Sequence, residues 1–282
     1  YGINIFGHHP KDGSPQGIFC ANGQCAQCLV IADGIPVKGC MVQVKEGMKI
    51  TACDGIPELP ASDDLPEGFK PIPVIDIDVL IVGGGPAGIT AALELAPLGA
   101  DVLIVDDKHR LGGKLVLQTH SFFGTVTDCY AGTRGIDIAT KLALEIENYP
   151  NIRVMLNTTA VACYGDKKIG VVNDDEYLLI NPQNLLIAAG AREKALSFPG
   201  CDLPGVYGAG AFQTLVNRDL IRPSDKLFIV GGGNVGLIAA YHALQAGINV
   251  VGLVEAMPQV GGYKVHQDKI KRLGVPVWTS HT

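Results

Sequence analysis

Cys20, Cys25, Cys28 and Cys40 follow one another in the spacing C-x4-C-x2-C-x11-C. Four thiolates drawn from one loop and one returning strand suit iron, because ferric iron prefers cysteine sulfur and a [2Fe–2S] unit takes four such ligands. The stretch 17–40 reads G-I-F-C-A-N-G-Q-C-A-Q-C-L-V-I-A-D-G-I-P-V-K-G-C. Its glycines let the backbone curl close to a cluster and turn N–H groups toward sulfur. Asp33-Gly34, set between two β-rich runs, predicts a tight hairpin that returns Cys40 to the side of Cys28. Zinc is the competing ion, but it usually takes C-x2-C pairs separated by a longer loop, and one such pair is absent. Four unrelated thiols are the plain alternative.

Two glycine-rich turns follow. Gly83-Gly-Gly85-Pro86-Ala87-Gly88 comes after the apolar run Ile75–Val82 and before Ile89–Leu98, an alanine- and leucine-rich helix stopped by Pro97 and Gly99. The next strand, Asp101–Val105, ends in Asp106-Asp107. The plan then repeats. Lys226–Val230 is a strand, Gly231-Gly-Gly233-Asn234-Val235-Gly236 a turn, Leu237–Ala246 a helix, and Asn249–Val254 a strand ending in Glu255. Gly83 and Gly231 are 148 positions apart, so the chain carries an internal duplication of βαβ units. A lone G-x-G-x-x-G is weak evidence, and two packing turns without ligand are its plain reading. Here each copy has its strand, its helix and an acid 23 or 24 residues beyond the first glycine. Gly83 permits the tight turn, Gly85 lets a pyrophosphate approach, and Gly88 lets helix and strand pack. The helix N-terminus then faces the phosphates, and Asp106 would accept the ribose hydroxyls. Gly231, Gly233, Gly236 and Glu255 take the same parts in the second copy.

The copies are expected to bind different dinucleotides. After Asp107 the first continues to a glycine pair ending in Gly113-Lys114, a second close approach suited to flavin pyrophosphate and ring. Leu185–Ala189 is an apolar strand that ends at Ala189-Gly190, where the chain must cross beneath a bound nucleotide. These features resemble the FAD domain and inserted NAD domain of flavoprotein reductases. Glu255 favours NAD(H), since a carboxylate pairs with a free 2′-hydroxyl and repels a 2′-phosphate, and no Arg lies in 256–262.

The elements that position these residues read as α/β: two Rossmann-like dinucleotide-binding domains, for FAD and NAD, preceded by a small β-rich [2Fe–2S] ferredoxin-like module. The module spans 1–53, with strands expected at Leu29–Ala32 and Met41–Val44. Residues 54–73, with Pro57, Pro60, Pro66, Pro71 and Pro73, read as an exposed linker. The FAD domain covers 74–218, extended by antiparallel strands at Ile152–Tyr164 and Ile169–Leu179, and the NAD domain covers 219–282. The module lacks opening strands and the chain stops inside a strand at Val277-Trp278-Thr279, so the sequence is expected to be a piece of a longer polypeptide.

A ferredoxin-like module with this cysteine spacing, followed by FAD and NAD domains, resembles the α subunit of heteromeric sarcosine oxidase and its relatives. Those are dye-linked proline dehydrogenases, opine and octopine oxidases and hydrogen cyanide synthase subunits. The resemblance implies an electron-transfer flavoprotein subunit that works beside a second, amine-oxidising flavoprotein subunit and moves electrons between FAD, NAD(H) and the cluster. A self-contained NADH:acceptor oxidoreductase and a scaffold subunit with idle dinucleotide sites are the alternatives. The redox cysteine pair of disulfide reductases is missing, since outside the cluster loop no two cysteines lie closer than Cys40 and Cys53.

Size and charge bound the rest. The 282 residues are 47% hydrophobic, with 36 glycines, enough for two domains with real cores or three small ones. A net charge of -6 without a Lys/Arg cluster argues against a nucleic-acid partner. No apolar run reaches the ~18 residues of a membrane span. Cys53, Cys129, Cys163 and Cys201 read as reduced, buried thiols of a cytoplasmic protein. The segment 118–137 offers His120, Tyr130 and Arg134 as polar groups for a flavin face or substrate channel, with a packing loop as the plain reading. His8 and His9 read as surface residues, and no catalytic acid or base stands out.

Overall fold

The structure is a computed structural model and describes residues 2–58, 61, 68, 71–173 and 176–281. Pro60 and Pro66 of the linker lie outside the described residues. Contacts divide the chain into two units, Leu65–Arg192 and a second that joins Tyr1–Asp64 to Glu193–Thr282.

In the second unit the N-terminal residues form only short strands. β1 (Gly7–His8) pairs with β2 (Pro15–Gln16), and β3 (Leu29–Ala32) is flanked by β4 (Ile35–Lys38) and β5 (Ile50–Ala52), all antiparallel. Ala32 opposes Ile35 across the two-residue turn, and both Asp33 and Gly34 have positive φ, the conformation that matches strand twist in a two-residue hairpin. The strand expected at Met41–Val44 is absent. The hairpin spends its return strand on Ile35–Lys38, so the chain has already left the sheet when it reaches Cys40.

The unit Leu65–Arg192 is built on β6 (Val74–Val82), which passes through Gly83–Gly85 into α1 (Pro86–Leu95). Pro86 opens this helix, three residues before the expected start, because proline fits the first helical turn without a lost N–H bond. A 3-10 turn, Ala96–Leu98, and left-handed Gly99 end it. Then come β7 (Val102–Val105), a 3-10 turn over Gly113–Leu117, α2 (Val126–Cys129), α3 (Gly135–Ile146), β8 (Ile152–Met155), β9 (Thr158–Cys163), β10 (Ile169–Asn173) and β11 (Glu176–Ile187). They make one sheet in the order β8-β7-β6-β11-β10-β9, parallel through β11 and antiparallel beyond it. Ile152–Tyr164 is thus two strands rather than one antiparallel strand. Asn157 takes a left-handed conformation, and the chain leaves the parallel β8 to re-enter as the antiparallel β9. Ile89, Ala92, Ile138 and Leu142 cover one face of the parallel strands over Ile81 and Ile104. Leu80, Leu103 and Val105 pack on the other face against Ile169, Val171 and Ile180.

The remainder of the second unit begins with α4 (Ala209–Gln213), which continues as a π-turn over Thr214–Arg218. β12 (Lys226–Val230), α5 (Asn234–Gln245), β13 (Asn249–Glu255), α6 (Lys264–Arg272) and β14 (Val277–Thr279) follow, with β12-β13-β14 parallel. The sequence reading set residues 209–218 at the end of the FAD domain. In the structure Phe212 and Val216 are buried with Ile229, Leu237 and Leu253, which draws the helix into this unit. Two of the isolated cysteines also depart from expectation. Cys53 is buried and Cys201 half-buried, but Cys129 and Cys163 are exposed. Cys129 ends a one-turn surface helix, and Cys163 lies on the outward side of an edge strand.

Ile104 is fully buried between the sheet and its helices. Ile104→Ala is expected to cost about 2–5 kcal/mol, the range for such truncations, read as an earlier urea midpoint for the unit Leu65–Arg192.

Candidate cofactor sites

The two glycine turns share their main features. Gly83 and Gly231 both have positive φ. A Cβ at Gly88 would run into the Gly83 carbonyl, and one at Gly236 into that of Gly231, so the helix can approach its turn only without a side chain there. Gly84 N donates to Asp106 Oδ2 at 2.6 Å, and Gly232 N donates to Glu255 Oε2 at 2.8 Å. Each strand-end acid therefore braces the middle glycine of its own turn, a role that the ribose-acceptor reading did not include. Gly85 and Gly233 precede α1 and α5, and a Cβ at either would meet no atom closer than the Gly113 Cα, at 3.8 Å from Gly85. Space beside a helix N-terminus is what a pyrophosphate needs.

The acids differ in setting. Asp106 is 8% exposed, and its second oxygen accepts from Lys108 N at 2.9 Å. Burial raises its proton affinity, against the pull of the Gly84 and Lys108 amides. Glu255 is half-exposed and accepts from Met257 N at 2.9 Å. The Met257 and Gly232 amides hold its carboxyl below the usual range, so it is ionised at neutral pH. Asp107 points out and pairs with Lys108 at 2.7 Å. Pro86, Ala87, Lys114, Ala189 and Val235 are exposed. Gly190 has positive φ, directly after the Ala188 backbone that touches Gly83. Asn234 Oδ1 accepts from Tyr263 N at 2.7 Å, so this side chain ties down a neighbouring loop.

The four cysteines come together as two pairs. Cys25 N donates to Cys20 Sγ and Gly23 N to Cys40 Sγ, both at 3.3 Å, and Gly39 N donates to Cys28 O at 2.9 Å. The Cys20 and Cys25 thiols are hydrogen-bonded to each other, as are Cys28 and Cys40. The hydrogen bond from Cys40 brings Cys28 to about 6 against the effect of burial, and raises Cys40 as the donor. Among the described residues no three His, Cys, Asp or Glu side chains converge on one ion position. Four thiols on one loop and its return are the donor set that a [2Fe–2S] unit takes.

Two of the three polar groups singled out in 118–137, Arg134 and His120, are held within their own segment. Arg134 makes a two-pronged ion pair with Asp137, at 2.7 and 3.1 Å. His120 is buried with its ring stacked on Phe122 and Phe123, and its Nδ1 accepts from Phe122 N at 3.1 Å. Tyr130 packs on the core beneath Lys141. This is the packing-loop arrangement. His8 and His9 are engaged by Asp54 and Asp12 at the surface.

Residues 77–281 match the family model of pyridine nucleotide-disulphide oxidoreductases. The chain belongs to that family. Residues 1–55 match a 2Fe-2S iron-sulfur cluster binding domain. This oxidoreductase thus has the cofactor set read from its sequence: FAD, NAD(H) and a [2Fe–2S] cluster. It is 30% identical to the sarcosine oxidase subunit alpha of Rhizobium meliloti, over 65% of this chain and 19% of that protein. It is 31% identical to the hydrogen cyanide synthase subunit HcnB of Pseudomonas protegens, over 64% of this chain and 39% of that one. The chain spans well under half the length of these curated relatives. Its fold is shared with L-proline dehydrogenase from P. horikoshii, at a TM-score of 0.72 and 23% identity over 89% of this chain and 47% of that one. Among the described residues of the oxidoreductase no helix is long and apolar enough to cross a membrane.

With Cys20, Cys25, Cys28 and Cys40 as ligands, metal analysis is expected to find about two irons and two labile sulfides per chain. Cys25→Ser should remove the cluster's visible absorbance while the FAD content of the chain holds. Zinc in place of iron would refute the ligand assignment.

Proposed function

We propose that this chain is the electron-transfer subunit of a heteromeric dehydrogenase or oxidase acting on an amine, amino acid or imino acid. The observation that carries the reading is the pairing of two dinucleotide turns of matching geometry with a two-by-two cysteine set in one chain. Bound FAD exchanges a hydride for single electrons, and a [2Fe–2S] cluster carries one electron at a time. The residues' part is to hold these groups. Gly85 and the start of α1 receive the flavin pyrophosphate, and Asp106 fixes their turn. Gly233 and α5 receive NAD(H), with Glu255 oriented by its two amide donors toward the ribose. All eight cysteines are free, which supports a reducing, cytoplasmic setting. In Leu65–Arg192 the cysteines are Cys129 and Cys163, far apart in sequence and on separate elements, which speaks against disulfide reduction.

Relatives named as subunits support a partner for this chain, and Arg134 and His120 of 118–137 are already held by Asp137 and by the Phe122 amide. The partner is a second flavoprotein that oxidises the amine. The isolated chain should oxidise neither sarcosine nor proline and should reduce dyes with NADH slowly at most. The co-purified complex should oxidise the amine and bleach this chain's flavin without NADH. A purified monomer that oxidised the amine unaided would sink this reading.

Glu255 gives a separate check on the nicotinamide cofactor. Glu255→Gln keeps an acceptor for Gly232 N but removes the charge that opposes a 2′-phosphate. The preference for NADH over NADPH should shrink by about 1–3 kcal/mol, the scale of a charge-assisted hydrogen bond. Equal use of both cofactors by the wild type would contradict the assignment.

A further inference from the structure

The second dinucleotide unit contains a glycine pair to which the reading above gives no role. Gly261 and Gly262 stand six and seven positions after Glu255, as Gly112 and Gly113 stand six and seven after Asp106. Each pair is strapped to its turn by a backbone hydrogen bond, made by the first glycine of the pair in one copy and by the second in the other. Gly112 N donates to Gly84 O at 2.8 Å, and Gly262 N donates to Gly232 O at 2.9 Å. In the second unit a further bond, Tyr263 N to Asn234 Oδ1 at 2.7 Å, ties the strap to the first residue of α5.

The two glycines of the strap differ in what the fold demands of them. A side chain at Gly262 would press on Leu237 and on the Asn234 amide, so packing alone explains that glycine. Gly261 has no such reason. It is exposed, its φ lies outside the left-handed region, and a Cβ there would meet no atom within 4 Å. Gly233 shares all three properties. Two glycines that the fold itself does not require thus lie on backbone segments bonded to each other at the start of one helix. In the first unit the corresponding elements nearly touch, for a Cβ at Gly113 would lie 2.9 Å from the Gly85 Cα.

We propose that Gly261 is a second backbone approach point for the pyrophosphate of the nucleotide in this unit, which then lies between the Gly233 turn and the Gly261–Tyr263 strap. The proposal rests on reading this unit as the NAD(H) site. It defines the ligand class as adenine nucleotides carrying a pyrophosphate, and predicts that AMP gains nothing from the strap.

The test is titration calorimetry on the full, FAD-loaded chain with NADH, ADP-ribose and, by competition, AMP. Gly261→Val should weaken NADH and ADP-ribose by about tenfold or more and leave AMP within about twofold, a difference of over 1 kcal/mol that calorimetry resolves. Gly261→Ala should fall between. Far-UV dichroism and FAD content should match the wild type, since a Cβ at Gly261 meets no atom within 4 Å. Gly233→Val, run in parallel, should lose NADH. If Gly261→Val bound ADP-ribose like the wild type while Gly233→Val did not, the strap would have no part in binding. An equal loss for AMP would move its contact to the adenosine and overturn the pyrophosphate assignment. If Gly233→Val kept full NADH affinity, the NAD(H) reading itself would fail and the strap assignment with it.

Discussion

The bond from the middle glycine of each turn to the acid at the end of the next strand holds both dinucleotide units in working order. A G-x-G-x-x-G turn has few side chains with which to fix itself, so its conformation must be set from outside. Asp106 does this for Gly84 and Glu255 for Gly232, each across the βαβ crossover. One hydrogen bond thereby fixes three things: the turn, the spacing of the two strand ends, and the direction in which the first helical amides point. A bond to a charged acceptor is worth about 1.5–3 kcal/mol, more than an ordinary backbone bond. Loss of the acid would therefore loosen the turn as well as remove the proposed ribose contact.

The same bond sits in two different solvents. Around Asp106, Leu111 and the Gly112 strap exclude water, and burial works against the charged form. Glu255 remains half-exposed, and its backbone donors outweigh what burial it has. A dry cradle favours slow exchange because every polar contact in it is strong. An open one lets a nucleotide come and go. This contrast supports a resident flavin in the first unit and an exchanging nicotinamide nucleotide in the second.

Much of this was legible in the sequence because it is local. The Asp33-Gly34 turn, the strand–glycine–helix runs and the strand-end acids are each fixed by residues a few positions apart; the turn and the acids appear where expected, and both helices start three residues earlier than read. What was not legible depends on distant partners. Ile152–Tyr164 has strand composition throughout, and only the left-handed Asn157 divides it between a parallel and an antiparallel neighbour. Met41–Val44 looks like a strand but has no partner left. Arg134 could have faced a ligand, but its partner Asp137 stands only three positions on, so this pair was within reach of a local reading. The Gly261-Gly262 pair was legible after all. Laying the second copy against the first reveals it, and with it the weakness of assigning flavin to the first copy on its glycine pair alone.

The cysteine loop poses a different problem, because its described strands are only two to four residues long. It packs on a helix from far along the chain. Ala21, in the left-handed conformation between Cys20 and Cys25, is buried against Ala211 and Leu215, with Ile18 and Tyr207 beside them. The adjoining face of that helix carries Phe212 and Val216 into the nucleotide-binding core. A regular helix offers one apolar stripe, and here two are needed; the passage from α4 into a π-turn at Thr214 shifts the later residues around the axis. The start of the helix is set by Glu193, whose carboxylate accepts from Ala209 N and Gly210 N at 2.9 and 3.0 Å, while Gly208 leaves room for it. A carboxylate is favoured at a helix N-terminus by the unpaired amides there. The residue at which the chain enters this unit therefore sets the position of the helix, and the helix in turn supports the loop on which the cysteine pairs stand.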